Sequence, residues 1–132
     1  MTATQLVADA LACLRRERPD AHALFRDALG ARTLAITLDR EAFAVADGAI
    51  APHDARAPVT ITTTSATLDA ILNGRIAVID ALLADDLELR GDADDLIRVA
   101  AAMNTFLQGA VRCASMPALA HRLAQQARGE PT

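Results

Sequence analysis

Ala57-Pro-Val-Thr-Ile-Thr-Thr-Thr-Ser-Ala-Thr-Leu-Asp-Ala-Ile-Leu-Asn-Gly-Arg75 changes its period halfway along. In its first half Val59, Ile61 and Thr63 alternate with Thr60, Thr62 and Thr64, and β-branched side chains at period two fit a half-buried pleat. In its second half Leu68, Ile71 and Leu72 recur at three-to-four spacing, which places them on one side of a helix. Ser65 at the junction predicts an N-cap, because its hydroxyl can accept from a free amide of the first turn, and Asn73-Gly74 predicts the stop. A strand that runs straight into a helix is therefore the seed of the fold.

Working backward, Pro52, His53, Asp54 and Pro58 predict a surface loop over Ile50 to Pro58. Before it, Leu34, Ile36 and Leu38 alternate, and after Asp39-Arg40-Glu41 so do Phe43 and Val45, up to Asp47-Gly48. This predicts a strand pair with one buried face. Leu6, Val7, Ala10, Leu11 and Leu14 predict a first helix ending before Pro19, and Asp20 is positioned to cap a second one that runs through Leu29 to a stop at Gly30. Working forward, a helix is predicted over Ile76 to Leu83. A strand follows over Asp86 to Arg90 with Leu87 and Leu89 inward, then a turn at Gly91-Asp92. The longest helix carries Leu96, Val99, Ala100, Met103, Phe106 and Leu107 on one face. Beyond Gly109, Ala114 to Ala127 sets Met116, Leu119, Ala120 and Leu123 against Arg122, Gln125 and Gln126, an amphipathic lid or arm, and the tail 128–132 is expected to fray. There is no internal repeat or low-complexity linker, so residues 1–132 read as one domain. The fold class expected is α+β: a small twisted sheet of four to five strands covered on one face by helices.

Composition narrows the function. The chain of 132 residues is 52% hydrophobic but only 2% aromatic, with Phe25, Phe43 and Phe106 and no Trp or Tyr, so its interior is built from Leu, Ile, Val and Ala. Nucleic-acid binding needs clustered positive charge and stacking faces. A formal net charge of −4 and a pI near 5.2 supply neither, and they disfavour electrostatic docking on anionic membranes. The opening Met-Thr-Ala-Thr-Gln has no basic region followed by an apolar one, and no apolar run approaches a membrane span. A cytoplasmic protein is expected. Ala and Arg in place of Lys fit a GC-rich bacterial coding sequence.

No catalytic or cofactor motif emerges. Asp85, Asp86, Glu88, Asp92, Asp94 and Asp95 form a dense acidic run. Their spacing is not that of a calcium loop, in which oxygens at set positions converge on one ion, and Asp92 and Asp95 suit the first turn of a helix. His22, His53 and His121 stand apart and read as solvated, without the i, i+4 pair that binds zinc. Cys13 and Cys113 read as buried, reduced thiols with no metal-ligand spacing. Ser115 has no visible base or nucleophile elbow. Gly91 and Gly109 belong to no phosphate-binding loop. Neither a metal nor a cofactor is expected, and no enzymatic activity.

From Ala42 to Val99 the chain resembles the sterol carrier protein 2 family. Phe43-Ala-Val-Ala-Asp-Gly48 resembles that family's strand and Asp-Gly hairpin turn, and Ala57 to Ser65 its next strand with a Ser cap. Leu68-Asp-Ala-Ile-Leu-Asn-Gly-Arg75 resembles the following helix with its leucines and closing Gly. Ile76 to Leu83 resembles the short helix after that, and Leu87-Glu-Leu-Arg-Gly-Asp92 the last strand and its turn. Where the family usually has a Gly before that strand, this chain has Ala84-Asp85-Asp86. The resemblance implies an α+β shell around an apolar cavity that takes fatty acyl, sterol-like or isoprenoid molecules, with no chemistry performed on them. It implies as lining Phe43, Val45, Ile61, Leu72, Ile79, Leu83, Met103, Phe106, Leu107, Met116 and Leu119, which composition alone reads as ordinary core; Arg75, Arg90 and Arg112 are candidates to meet a ligand carboxylate at the mouth, against the plainer reading of each as a solvated surface arginine. Members of the family also serve as structural, dimerisation or accessory domains, so a homodimer or a biosynthetic enzyme partner is the alternative to a bound lipid.

Overall fold

In the computed structural model residues 2–129 are described. They form helices α1 (Ala3–Glu17) and α2 (Pro19–Leu29), strands β1 (Leu34–Leu38), β2 (Glu41–Ala46), β3 (Ala49–Ala51) and β4 (Val59–Thr63), helices α3 (Ser65–Leu72) and α4 (Val78–Leu83), strand β5 (Glu88–Arg90), and helices α5 (Ala93–Ala110) and α6 (Met116–Ala127). The fold is α+β with one open mixed sheet in the order β3-β2-β1-β4-β5. β1 and β4 run parallel, and the other neighbours are antiparallel.

The register makes the period-two pattern into two unlike faces. Leu34, Val45 and Val59 form one row, and Phe43, Ile36, Ile61 and Leu89 the next. Ala35, Ala44 and Thr60, then Ala42, Thr37, Thr62 and Glu88, line the reverse side. The helices bring Leu11, Phe25, Leu29, Val99 and Ala102 to the apolar rows to complete the core. α5 can lie close to the first two helices because Gly109 has no side chain: a Cβ there would stand 2.7 Å from Ala21 Cβ and 2.7 Å from Leu14 Cδ1. Nearby, the rings of Phe25 and Phe106 meet at a tilt with centroids 5.9 Å apart.

Several local expectations change. Ile50 lies in a strand, because Asp47 and Gly48 both adopt positive φ, 54° and 76°, and return the chain at once into pairing with β2. That left-handed pair matches the twist of a tight hairpin. α2 begins on Pro19, whose fixed φ and missing N–H suit the first helical position, so Asp20 lies in the first turn instead of capping it. Thr64 caps α3, its Oγ1 accepting from the Thr67 N–H at 3.2 Å. Ser65 is instead the first residue of α3, 1% exposed; its N–H donates to Asp39 Oδ1 and its hydroxyl to Asp39 Oδ2. α4 starts at Val78, its N-cap amide at Ala77 satisfied by Asp80 Oδ2 at 3.1 Å. Within Ala84-Asp85-Asp86, Asp85 takes φ 62°, a conformation that Asp tolerates better than most side chains. Residues 130–132 of the expected frayed tail lie outside the described residues.

Candidate functional site

An apolar site needs a surface that packing leaves reachable, and the middle of the sheet supplies one. Ile36 is the central residue of the central strand, on the helix-covered side. It is nevertheless only half-buried, while its neighbours Phe43 and Ile61 are 3% and 6% exposed. Leu68, Ile71, Ile76, Leu89, Met103 and Phe106 pack against the same core and are also only partly buried. Apolar side chains on the covered face and in the layer over it are thus only partly buried.

Ile76 also belongs to a groove of about 440 Å³ between α3 and α6. Ala66, Ala70 and Ala127 form its other apolar walls, and Asp69, Arg75 and Arg128 add charge. Arg75 is held by Asp69, Nη2 to Oδ2 at 2.6 Å. Arg90 pairs instead with Glu88 on β5, and Arg112 is exposed after α5. α6 lies against both α3 and α1, and so borders a second groove of about 290 Å³ that includes Asp9, Ala12, Cys13, Ser115 and Leu119. Arg122 ties α6 to α1 by donating to Asp9 Oδ2 at 2.7 Å, and this contact holds the Asp9 carboxyl below its usual range.

The residues singled out as lining fall into four places. Phe43, Val45 and Ile61 form the sheet floor. Met103, Phe106 and Leu107 are half-buried on α5. Met116 and Leu119 pack with Cys13, Leu14 and Cys113 beneath α6, towards α1. Leu72, Ile79 and Leu83 face outward, 44%, 59% and 79% exposed, so they line no interior in this structure. The cause in α4 is rotational: Ala81 is the inward residue, 1% exposed, and at about 100° per residue the side chains two before and two after it point to the opposite side.

The titratable groups are bound up in structure. Cys13 and Cys113, a hundred residues apart in sequence, meet in one small cluster. Burial first, then the hydrogen bond from Cys13 Sγ to Glu17 Oε2 (2.9 Å), pushes the Cys13 thiol up to about 12, so it carries no thiolate at neutral pH. The same thiol, together with the Ser115 N–H, pulls Glu17 down to about 2. Glu41 reaches from β2 to cap α1, accepting from the amides of Ala3 (2.7 Å) and Thr4 (3.1 Å). Burial alone would raise its carboxyl, but those amides outweigh it and the net shift is downward. His22 is buried, not solvated, with Nε2 3.1 Å from the Gly48 carbonyl, linking α2 to the β2–β3 turn. Among the described residues no group of three His, Cys, Asp or Glu could hold a metal ion, and no helix is long and apolar enough to cross a membrane.

No protein-family model matches the chain, and no curated protein matches it by sequence. Solved structures do. The crystal structure of a sterol carrier protein 2 is similar with a TM-score of 0.53 at 20% identity, over 83% of this chain and 96% of that one. The solution structure of the sterol carrier protein domain 2 of Helicoverpa armigera gives 0.54 at 10% identity, over 85% and 88%. Sterol carrier protein 2 from Yarrowia lipolytica, in its apo form, gives 0.53 at 9%, over 80% and 87%. With the mixed sheet, its two unlike faces and the helices on the apolar one, these likenesses establish that the chain has the sterol carrier protein 2 fold.

Proposed function

We propose that the protein binds an apolar, lipid-like molecule between its sheet and its helices and carries it without changing it. The observation that bears most weight is Ile36, an apolar side chain at the centre of the covered face that the chain's own helices leave only partly buried. The floor of this site is Ile36 with Phe43, Val45 and Ile61. Met103 and Phe106 cover it from α5, with Leu107, Met116 and Leu119 farther along the same layer. Met suits such a role because its unbranched side chain repacks readily around a guest. α6 borders the entrance beside Ile76 and Arg75. Each buried CH₂ of a ligand gains about 0.8 kcal/mol, so a chain of roughly ten carbons gains about 8 kcal/mol before the costs of association. Few polar contacts are needed, and discrimination among acyl, sterol-like and isoprenoid guests is expected to be loose.

The test is titration of delipidated protein with a naturally fluorescent polyene fatty acid. Saturable binding at one molecule per chain is expected, and Met103→Trp, which fills space above the sheet, is expected to weaken it by roughly tenfold or more while circular dichroism stays native. Absence of saturable uptake by the unaltered protein overturns the proposal. So does a folded Met103→Trp variant of undiminished affinity.

A further inference from the structure

Charge is distributed very unevenly along this chain. Residues 69–95 hold eight carboxylates and two arginines, a net −6, while the remainder holds nine carboxylates and eleven arginines, a net +2. Inside the acidic segment Asp69 pairs with Arg75, Glu88 with Arg90 and Asp95 with Arg32. Among the described residues Asp85, Asp86, Asp92 and Asp94 make no ion pair. Asp85 and Asp86 sit just beyond the C-terminal end of α4, where the Asp86 and Leu87 amides bond back to the Ala81 carbonyl. Carboxylates are unfavourable there, because a helix C-terminus already presents partial negative charge. Beside them, on the same helix, are Ile79 and Leu83, one turn apart and 59% and 79% exposed.

We propose that the outer face of α4 docks a basic amphipathic helix of a partner protein, with Ile79 and Leu83 meeting its apolar stripe and Asp80, Asp85 and Asp86 its Lys or Arg residues. Charge selects this occupant. An anionic lipid surface is repelled by a segment of net −6, and a second copy of the chain placed face to face brings like charge onto like. A cationic helix relieves the unpaired carboxylates at the end of α4 and covers the two apolar side chains together, as helices do in apolar grooves. The face is small, so the contact is a transient one, steered by charge and sensitive to salt. The surface lies outside the proposed lipid site, and the two readings stand or fall separately.

The probe is a fluorescein-labelled Leu/Lys amphipathic peptide of about 14 residues, long enough to turn helical on a surface, beside a Ser/Lys peptide of equal charge. Fluorescence anisotropy with delipidated protein is expected to show the Leu/Lys peptide binding roughly tenfold more tightly. The double substitution Ile79→Ser and Leu83→Ser is expected to erase that preference, while Asp85→Asn with Asp86→Asn weakens both peptides and flattens the salt dependence. Amide shift changes in NMR spectra of the unaltered protein should cluster over residues 76–88, a readout that needs no variant to fold. Equal binding of the two peptides, or shift changes centred elsewhere, overturns the proposal. It is equally overturned if the face instead binds phosphatidylcholine–phosphatidylglycerol vesicles or mediates self-association in sedimentation, and the serine substitutions abolish that.

Discussion

Gly109→Val is expected to lower the unfolding free energy by about 3 kcal/mol, with a fall in Tm of roughly 10 °C. Added methyl groups would enter the line of closest approach, where a Cβ alone already meets Ala21 Cβ and Leu14 Cδ1 at 2.7 Å. Neither neighbour can yield cheaply, since Leu14 is fully buried and Ala21 has no rotamer to change. Helix propensity works weakly the other way, because Gly109 lies in the last turn of α5, where replacing Gly by Ala gains less than the roughly 1 kcal/mol of a helix interior; Gly109→Ala, which adds only the Cβ, should show a smaller net loss than the valine variant. Denaturant titration of both separates packing from propensity. A valine variant as stable as the parent would mean that α5 does not seat on α1 and α2 at this point.

The second large effect is expected at Asp39. This residue holds φ 57° at the β1–β2 turn and accepts from both the N–H (2.9 Å) and the hydroxyl of Ser65. It thereby joins the hairpin to the start of α3, and its own amide donates to the Thr63 carbonyl at 3.2 Å. Asp39→Ala removes both acceptors and leaves the Ser65 hydroxyl buried without a partner, a loss of about 1–3 kcal/mol. It also places alanine in the left-handed region, which adds about 1–2 kcal/mol. A combined loss of about 3 kcal/mol is expected, against about 1 kcal/mol for Asp39→Asn, which tolerates the backbone and keeps one acceptor. A double-mutant cycle with Ser65→Ala should recover much of the loss. Equal stability of the Ala and Asn variants would show that neither the turn conformation nor the buried bond matters.

Asp39 also marks the limit of what local pattern reveals. The strand–helix succession from Val59 to Leu72 was readable because β-branched alternation and a three-to-four stripe are properties of consecutive residues, and the same holds for the rest of the sheet except β3. That strand, Ala-Ile-Ala, has a single large apolar side chain and so no alternation to read, whereas Leu87 and Leu89 mark the equally short β5; β3 exists because Asp47-Gly48 forms a two-residue turn. Thr64 and Ser65 are both good capping residues, and only the position of Asp39 across the fold decides which one caps and which is buried. The meeting of Cys13 with Cys113 and the burial of His22 against Gly48 likewise depend on how helices dock.

The candidate site divides along the same line. Phe43, Val45 and Ile61 were legible as inward residues because a strand has only two faces, and their side is shared across the ladder. Ile79 and Leu83 were not, because a helix of six residues has no full stripe to orient it, and the burial of Ala81 turns them outward. Ile36 alternates as any core residue would; its partial burial depends on how the helices dock over the sheet, which no periodicity encodes.

Native mass spectrometry of protein purified without detergent or organic solvent tests lipid carriage most directly. The expected result is a folded species heavier than the 13.9 kDa chain by one small molecule, which is lost on organic extraction and identified in the extract as an acyl, sterol-like or isoprenoid compound. A spectrum showing only the bare chain, both as purified and after incubation with offered fatty acids and sterols, would contradict it.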